Sequence, residues 1–139
     1  MLVNIFSSNN TLPKYHTEGS VAFDISTNCD TKIVAQSMVY LQTGLIIEVP
    51  EGFGLFIFAR SSLPKRGLML ANSVGIIDND FHGKNDEIKL IVYNFTNKIV
   101  SVKNEERIAQ GIFIPIEKAK WKPFVPNNNS RGGIGSTGN

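Results

Sequence analysis

The chain has 139 residues, of which 42% are hydrophobic and 19% are charged, a balance typical of one globular domain rather than of a disordered chain. Its net charge of +2 is too small to predict binding to a nucleic-acid polymer or to an acidic membrane. One cysteine excludes an internal disulfide, two histidines are too few for a His/Cys zinc site, and no stretch reaches the ~20 apolar residues of a membrane-spanning helix. We therefore expect a soluble, intracellular protein in which local basic groups bind any anionic ligand.

Short runs of β-branched and aromatic residues alternate with glycine and proline along most of the chain. They predict strands at 2–6, 21–27, 32–40, 45–49, 53–59, 87–95, 98–103 and 107–116. The runs 87–95 and 98–103 predict a hairpin that turns at 96–97. Helical spacing does not extend over any long window, so we expect at most one helical turn, at 62–66. The sequence therefore predicts an all-β sandwich or barrel.

The composition changes near the C-terminus, where Pro, Asn, Ser and Gly replace the apolar residues. This change predicts a β domain at 1–121 and a mobile arm at 122–139. The glycines of the arm would let backbone N–H groups converge on an anion, while Ser136 and Thr137 donate hydroxyls and Arg131 adds charge. From composition alone, a flexible tail without a role is at least as good an interpretation.

The segment 59–83 carries most of the groups that are suited to chemistry. A guanidinium and two hydroxyls suited to phosphate oxygens follow one another, at Arg60, Ser61 and Ser62. Asn72 has an amide that both donates and accepts, as the edge of a nucleobase requires. Asp78 follows two isoleucines, which predicts a carboxylate at the end of a buried strand, where desolvation would make it a better base. Phe81 adds an aromatic face. Singly, these residues are more typical of turns and core; together they predict nucleotide chemistry.

Five motifs in this chain resemble those of the trimeric dUTPase family and occur in the family's order. They read GSVAFDI from Gly19, ARSSLPKRGL from Ala59, ANSVGIIDNDFHG from Ala71, NEERIAQGIF from Asn104 and RGGIGSTG from Arg131. Any one of these motifs is a weak signal, whereas five in order across nearly the whole chain are a strong one.

The resemblance implies a homotrimer of β jelly-roll subunits, each a distorted β-barrel, that hydrolyses dUTP to dUMP and pyrophosphate at sites between subunits. The arm of one subunit would close the site of another. Mg²⁺ would be held largely by the triphosphate, and Asp24 would either orient a metal-bound water or pair with a nearby cation. Asp78 would activate the water that attacks the α-phosphorus.

The resemblance also assigns the substrate contacts. The phosphates would meet Arg60, Ser61, Ser62, Gln110, Arg131, Ser136 and Thr137. Uracil and deoxyribose would meet Asn72, Gly75, Ile77, Phe81 and Ile134. A tight hairpin at 72–81 would exclude cytosine by its hydrogen bonds and thymine by the room that its methyl group needs. Stacking of Phe81 on deoxyribose would leave no space for a 2′-hydroxyl.

The sequence departs from the family pattern in three places. Phe81 stands where the family usually has tyrosine, although a ring face is what stacking requires. Residues 84–86 are an insertion that would lengthen the hairpin tip. Ile134 stands where the arm usually has phenylalanine, and Arg131 is two residues nearer to it than usual. Because isoleucine lacks a π face, we expect weaker closure of the arm, with a raised KM or a lowered kcat.

Three other functions stay open. A dCTP deaminase would share the fold and the Arg-Ser-Ser segment, but Ile91 aligns with its catalytic glutamate. A catalytically weak binding or regulatory protein would fit the altered arm and the longer hairpin. A structural jelly-roll subunit, such as a coat protein, would need none of these polar groups.

Overall fold

Eleven short strands and one 3₁₀ turn form the computed structural model, which describes residues 1–126, 129–130 and 132–133. The strands are β1 (Ile5–Ser7), β2 (Phe23–Ser26), β3 (Thr31–Ile33), β4 (Met38–Gln42), β5 (Leu45–Ile47), β6 (Phe53–Ala59), β7 (Leu68–Leu70), β8 (Gly75–Ile77), β9 (Lys89–Asn94), β10 (Val100–Val102) and β11 (Arg107–Pro115). The 3₁₀ turn, Pro64–Arg66, lies within the predicted helical turn. No α-helix occurs in the described residues, so the all-β prediction is confirmed.

All strand pairs are antiparallel, and they form two main sheets. The first has the order β2-β11-β6-β8 and the second the order β4-β9-β7, while β1 pairs with β5 and β10 pairs with β3. The core contains side chains from both sheets, because alternate residues of each strand point inward. Leu55 and Ile57 of β6, and Leu90 and Val92 of β9, are buried there.

The other side of the first sheet is apolar, and the described residues of the chain leave it partly exposed. The register aligns Phe56 with Ile112 on β11 and with Ile76 on β8. We call Phe56, Phe58, Ile76, Ile112 and Ile114 the outer face; none of them belongs to the core cluster or packs against it. Ile76 is 60% exposed and the other four are half-buried. A sheet with apolar residues on both sides is typical of one that is covered on both sides.

The predicted hairpin between 87–95 and 98–103 is wrong. β9 pairs with β4 and β7, whereas β10 pairs with β3. The reason is Asn94, whose fully buried amide donates to Ile33 O, Val34 O and Lys98 O at 3.0, 3.1 and 2.7 Å. Its Oδ1 accepts from the backbone N–H and the hydroxyl of Thr96 at 2.9 and 2.8 Å. These bonds fold 94–98 into a connection that leads the chain out of the second sheet.

The predicted strand at 32–40 is two strands, and β7 has no counterpart among the predicted strands. Between β3 and β4 the chain turns at Gln36, whose φ of 55° interrupts extended structure. β7 is only three residues long, and it directly follows Gly67, which ends the 3₁₀ turn with a φ of 76°. So short a run is difficult to distinguish from a loop by composition.

After β11 the described residues contain no further helix or strand. Trp121, at the predicted boundary between the domain and the arm, is 90% exposed. The division into domain and arm stays a prediction. None of the described helical segments is long and apolar enough to cross a membrane.

Candidate active site

Four of the residues predicted to contact uracil and deoxyribose, Asn72, Gly75, Ile77 and Phe81, line one open pocket of about 340 Å³. Much of the remaining wall comes from 87–91, which includes the start of β9, and Leu70 of β7 and Tyr40 of β4 also contribute. The pocket therefore opens between the edges of the two main sheets, where β8 of the first sheet faces the second. The structure brings these predicted residues together.

A tight turn between β7 and β8 sets the position of Asn72. Ser73 has a φ of 61°, its N–H donates to Leu70 O at 3.1 Å, and Val74 N–H donates to Asn72 O at 2.6 Å. The Asn72 side chain is exposed and makes no hydrogen bond to another described residue, so its amide is free for a ligand. A Cβ at Gly75 would lie 3.3 Å from Ile57 Cβ and 3.6 Å from Asn72 Nδ2. A side chain at position 75 would therefore crowd Ile57 and Asn72, which glycine avoids.

Phe81 and the insertion form the outer part of the pocket. The Phe81 side chain is 38% exposed, and its N–H donates to Asp78 O at 3.3 Å. Asp86 closes the insertion, because its Oδ2 accepts the N–H of Gly83 at 2.7 Å. Asn85 of the insertion lines the pocket. The insertion is therefore an ordered turn at the pocket, as a longer hairpin tip predicts.

Asp78 directly follows β8, but it does not end a buried strand. Its side chain is exposed, and so is that of Ile76 two residues earlier. The prediction that the chain itself desolvates this carboxylate is wrong, because the alternating strand turns Ile76 toward the uncovered outer face. Asn79 fixes the backbone next to Asp78, since its amide donates to Val49 O, Pro50 O and Phe53 O at 3.1, 2.7 and 2.9 Å.

The residues that follow β6 or lie on β11 and are predicted to contact phosphates gather at the other end of the first sheet. Asp24 Oδ1 is 2.9 Å from Arg60 Nε, and its Oδ2 is 3.1 Å from Arg107 Nη1. Gln110 lies opposite Asp24 in the strand register and donates to Ala59 O at 3.1 Å. We call Asp24, Arg60, Arg107 and Gln110 the arginine corner. Ser61 and Ser62 are exposed directly beyond Arg60.

The two groups of residues lie far apart within one chain. Leu55 pairs with Ile77, so Asp78 continues the register beside Gly54 near the start of β6. From Gly54 to Arg60 the chain advances about 20 Å, at about 3.3 Å per strand residue. Neither side chain can span that distance, so one copy of the chain does not bring Asp78 to the arginine corner.

Asp24 confirms one of the two roles predicted for it, since it pairs with cations. Its side chain is 13% exposed and both oxygens contact positively charged or imidazole nitrogens. Within the part of the chain that the structure describes, no group of three or more His, Cys, Asp or Glu residues could hold a metal ion. The donor set therefore does not fit a metal held by the protein alone, and contact with a metal-bound water stays a prediction.

Two residues of this region were absent from the predicted contacts. Arg107 belongs to the fourth motif, which was the signal for it, and the structure places it at the start of β11, opposite β2. His16, whose Nε2 is 2.9 Å from Asp24 Oδ2, lies in a turn-rich loop that carries no motif. The predicted arm residues Arg131, Ile134, Ser136 and Thr137 lie outside the described residues.

Comparisons with known proteins point to one family. A family model described as dUTPase matches residues 8–138. A deoxyuridine 5'-triphosphate nucleotidohydrolase of Desulfitobacterium hafniense is 39% identical, over 91% of this chain and 87% of the relative. One from a Hydrogenobaculum species is 36% identical, over 99% of this chain and 97% of the relative.

Solved structures show the same fold. The crystal structure of dUTPase from Streptococcus mutans has a TM-score of 0.79 and 32% identity, covering 86% of this chain and 98% of that chain. The dUTPase of Staphylococcus bacteriophage 80alpha with dUPNHPP has a TM-score of 0.85, covering 99% and 98%, and its 18% identity indicates the fold alone. The predicted dUTPase-type jelly-roll fold is thereby confirmed. The chain belongs to the dUTPase family.

Proposed function

We propose that this protein hydrolyses dUTP to dUMP and pyrophosphate in active sites shared between the subunits of a homotrimer. The nucleotidohydrolase names of relatives that match almost the whole chain support the reaction. The observation that carries the proposal is the pocket that collects Asn72, Gly75, Ile77 and Phe81, with Asp78 next in the chain.

Uracil would enter this pocket from the side of Asn72. A free side-chain amide and the backbone of a tight turn can satisfy both the donor and the acceptors of a uracil edge. Cytosine presents the opposite pattern at its exocyclic group, which would leave buried polar atoms unpaired. If the backbone of this tight turn lies against the uracil edge, as the family resemblance implies, the methyl group of thymine would have no room.

Deoxyribose would lie against the ring of Phe81. A flat apolar face packs against the unsubstituted C2′ side of the sugar and offers no hydrogen-bond partner to a 2′-hydroxyl. A ribonucleotide would therefore lose a hydrogen bond to water on binding without gaining one. This is our reason to expect that phenylalanine replaces the usual tyrosine without loss of sugar discrimination.

Asp78 would act as the general base. Its carboxylate is exposed in the single chain and would become enclosed when substrate and another subunit cover it. A positioned base of this kind accelerates a reaction by about 10²- to 10⁴-fold. The three carbonyls that hold Asn79 keep the Asp78 backbone in one place, which limits the movement of the base relative to the pocket.

The arginine corner would neutralise the phosphates, and the distance to Asp78 requires that another subunit provide it. Arg60 and Arg107 share one carboxylate, so the corner keeps a net positive charge toward an anion. The apolar outer face lies between the corner and Asp78, and burying it against another copy would bring the two half-sites together. This arrangement is the basis for proposing a homotrimer, which the family resemblance implies.

Mg²⁺ would arrive as part of the substrate, bound to the triphosphate. Mg²⁺ commonly takes its protein-site ligands from phosphates and water with only one or two carboxylates, which agrees with the absence of an acidic cluster from the described residues. We expect a chelator in excess to reduce the rate and added Mg²⁺ to restore it.

The test is pyrophosphate release from dUTP, dCTP, dTTP and UTP in parallel, with Mg²⁺. We expect release from dUTP alone, and a loss of about 100-fold or more in Asp78→Asn. Asp30→Asn is the matched control, because Asp30 is an exposed carboxylate whose Oδ1 accepts the N–H of Asn104 at 2.8 Å, a bond that asparagine retains. Its other contact is a long, exposed ion pair with Lys103 Nζ at 3.8 Å, which contributes little. A folded trimer that releases nothing would contradict the proposal and favour a binding role; full activity in Asp78→Asn would contradict the role of the base.

A further inference from the structure

Beside the arginine corner is a histidine that the proposed reaction does not use. His16 Nε2 lies 2.6 Å from Arg107 Nη1 and 2.9 Å from Asp24 Oδ2. Arg107 Nη1 is itself 3.1 Å from the same Oδ2. These three atoms therefore all lie within hydrogen-bond distance of one another. Of the three, the guanidinium nitrogen can only donate and the carboxylate oxygen can only accept. The ring nitrogen can do one or the other, but not both at once.

Two arrangements follow from this geometry. When Nε2 has no proton, it accepts a hydrogen bond from Arg107, and Asp24 accepts another from the same guanidinium. When Nε2 is protonated, it donates to Asp24. Arg107 Nη1 is then 2.6 Å from a second donor, and two N–H groups repel each other at this separation. A fully protonated ring adds repulsion between two positive charges. Protonation therefore displaces Arg107 from His16, while the bond between Arg60 and Asp24 Oδ1 is not involved.

Few charged groups surround His16, and the two that contact it lie on β2 and β11. Asp24 faces it from β2 and Arg107 from β11, and Arg60 reaches it only through Asp24. Lys14 and Glu105 line the same cleft, but within the described residues neither forms an ion pair or side-chain hydrogen bond with His16. The balance between the two arrangements is therefore set mainly by Asp24 and Arg107.

We propose that His16 is a positioning residue, which holds Arg107 in place for the triphosphate when Nε2 carries no proton and releases it when Nε2 is protonated. The inference rests on the proposed function, because it assumes that the arginine corner binds phosphates. Histidine side chains change charge between about pH 5 and pH 8. Because the arrangement with a protonated Nε2 displaces Arg107, we expect phosphate binding to weaken toward acidic pH.

The decisive variant is His16→Gln. Its amide oxygen can accept from Arg107 while its amide nitrogen donates to Asp24, so glutamine makes both contacts and does not titrate. His16→Ala removes both contacts at every pH. KM and kcat for dUTP are measured from pH 5.5 to pH 8.5 for the native protein and both variants. The ratio of native KM to His16→Gln KM cancels the titration of the substrate and of Mg²⁺ binding, which all three proteins share.

We expect this KM ratio to be near one at alkaline pH and to rise about tenfold toward pH 5.5, the size of one charge-assisted hydrogen bond. The kcat ratio should stay within about twofold, because Asp78 is untouched. His16→Ala should have a raised KM throughout. Parallel KM profiles for the native protein and His16→Gln would overturn the inference.

Failure of the proposed function has a different signature. If the native protein hydrolyses no nucleotide at any pH, calorimetric binding of inorganic tripolyphosphate at pH 8 and pH 5.5 replaces the kinetic assay. A native Kd that rises more than the His16→Gln Kd as the pH falls would support the inference without the reaction. Equal changes in both proteins, or no tripolyphosphate binding at pH 8, would overturn it.

Discussion

Replacing Asn94 with alanine tests the account of how the two main sheets are joined. The Asn94 side chain is fully buried, donates to three carbonyls and accepts two hydrogen bonds from Thr96. Alanine would remove this donor from the carbonyls of Ile33, Val34 and Lys98. Val34 O would keep the hydrogen bond from the Ser37 hydroxyl and Lys98 O the one from the Thr96 hydroxyl, at 2.7 and 3.0 Å, so the main cost comes from Ile33 O and the emptied space. A buried group left unpaired costs about 1–3 kcal/mol. Water that enters the space would recover part of the loss. We therefore expect the free energy of unfolding to fall by about 2–4 kcal/mol.

The assay is urea unfolding at fixed protein concentration, because assembly adds a concentration-dependent contribution to apparent stability. Asn97→Ala is the matched control: Asn97 is exposed in the same connection, and we expect a change within about 0.5 kcal/mol. Asn94→Asp keeps an acceptor for Thr96 but cannot donate, so it should be at least as destabilising as alanine. A loss below about 1 kcal/mol in Asn94→Ala would refute the reasoning, because a single net hydrogen bond contributes that much.

Three further predictions concern the pocket, the arm and the core. Phe81→Ala should raise kcat/KM for UTP relative to dUTP by about tenfold or more, since it opens the sugar side of the pocket; an unchanged ratio in parallel assays would mean that another group excludes ribose. Ile134→Phe should increase kcat/KM for dUTP by restoring an aromatic cover, and no gain would argue that this arm closes differently. Gly111→Ala should lower the free energy of unfolding by about 1–3 kcal/mol by overpacking, as a Cβ there would lie 2.6 Å from Phe23 Cζ; stability equal to that of the native protein would show that the Phe23 ring can move aside.

Local pattern was enough to predict much of the fold. β6 coincides with its predicted strand because Phe53–Ala59 is long, apolar and preceded by a turn at Gly52. Which strands pair with each other could not be predicted from local pattern. The runs around β9 and β10 have the pattern of a hairpin, and only the burial of Asn94 against carbonyls distant in sequence separates them.

The same limit applies to the site. Asn72 and Phe81 were predicted together because they lie in one motif and one turn, and they share one pocket. The exposure of Asp78 was missed because an apolar run does not say which of its alternate side chains faces the core. The contact of His16 with Asp24 joins a loop without a motif to β2, so no spacing in the sequence indicates it.

The central claim is that Asp78 and the arginine corner act together only when they belong to different copies of the chain. Asp78→Asn and Arg60→Ala are each expected to be inactive as homotrimers, so the two proteins are unfolded together in equal amounts, refolded, and assayed for pyrophosphate release from dUTP. Random assembly would give about a quarter of the sites an intact Asp78 from one variant and an intact Arg60 from the other. We predict that about a quarter of native activity returns; a mixture no more active than either variant alone would contradict a shared site.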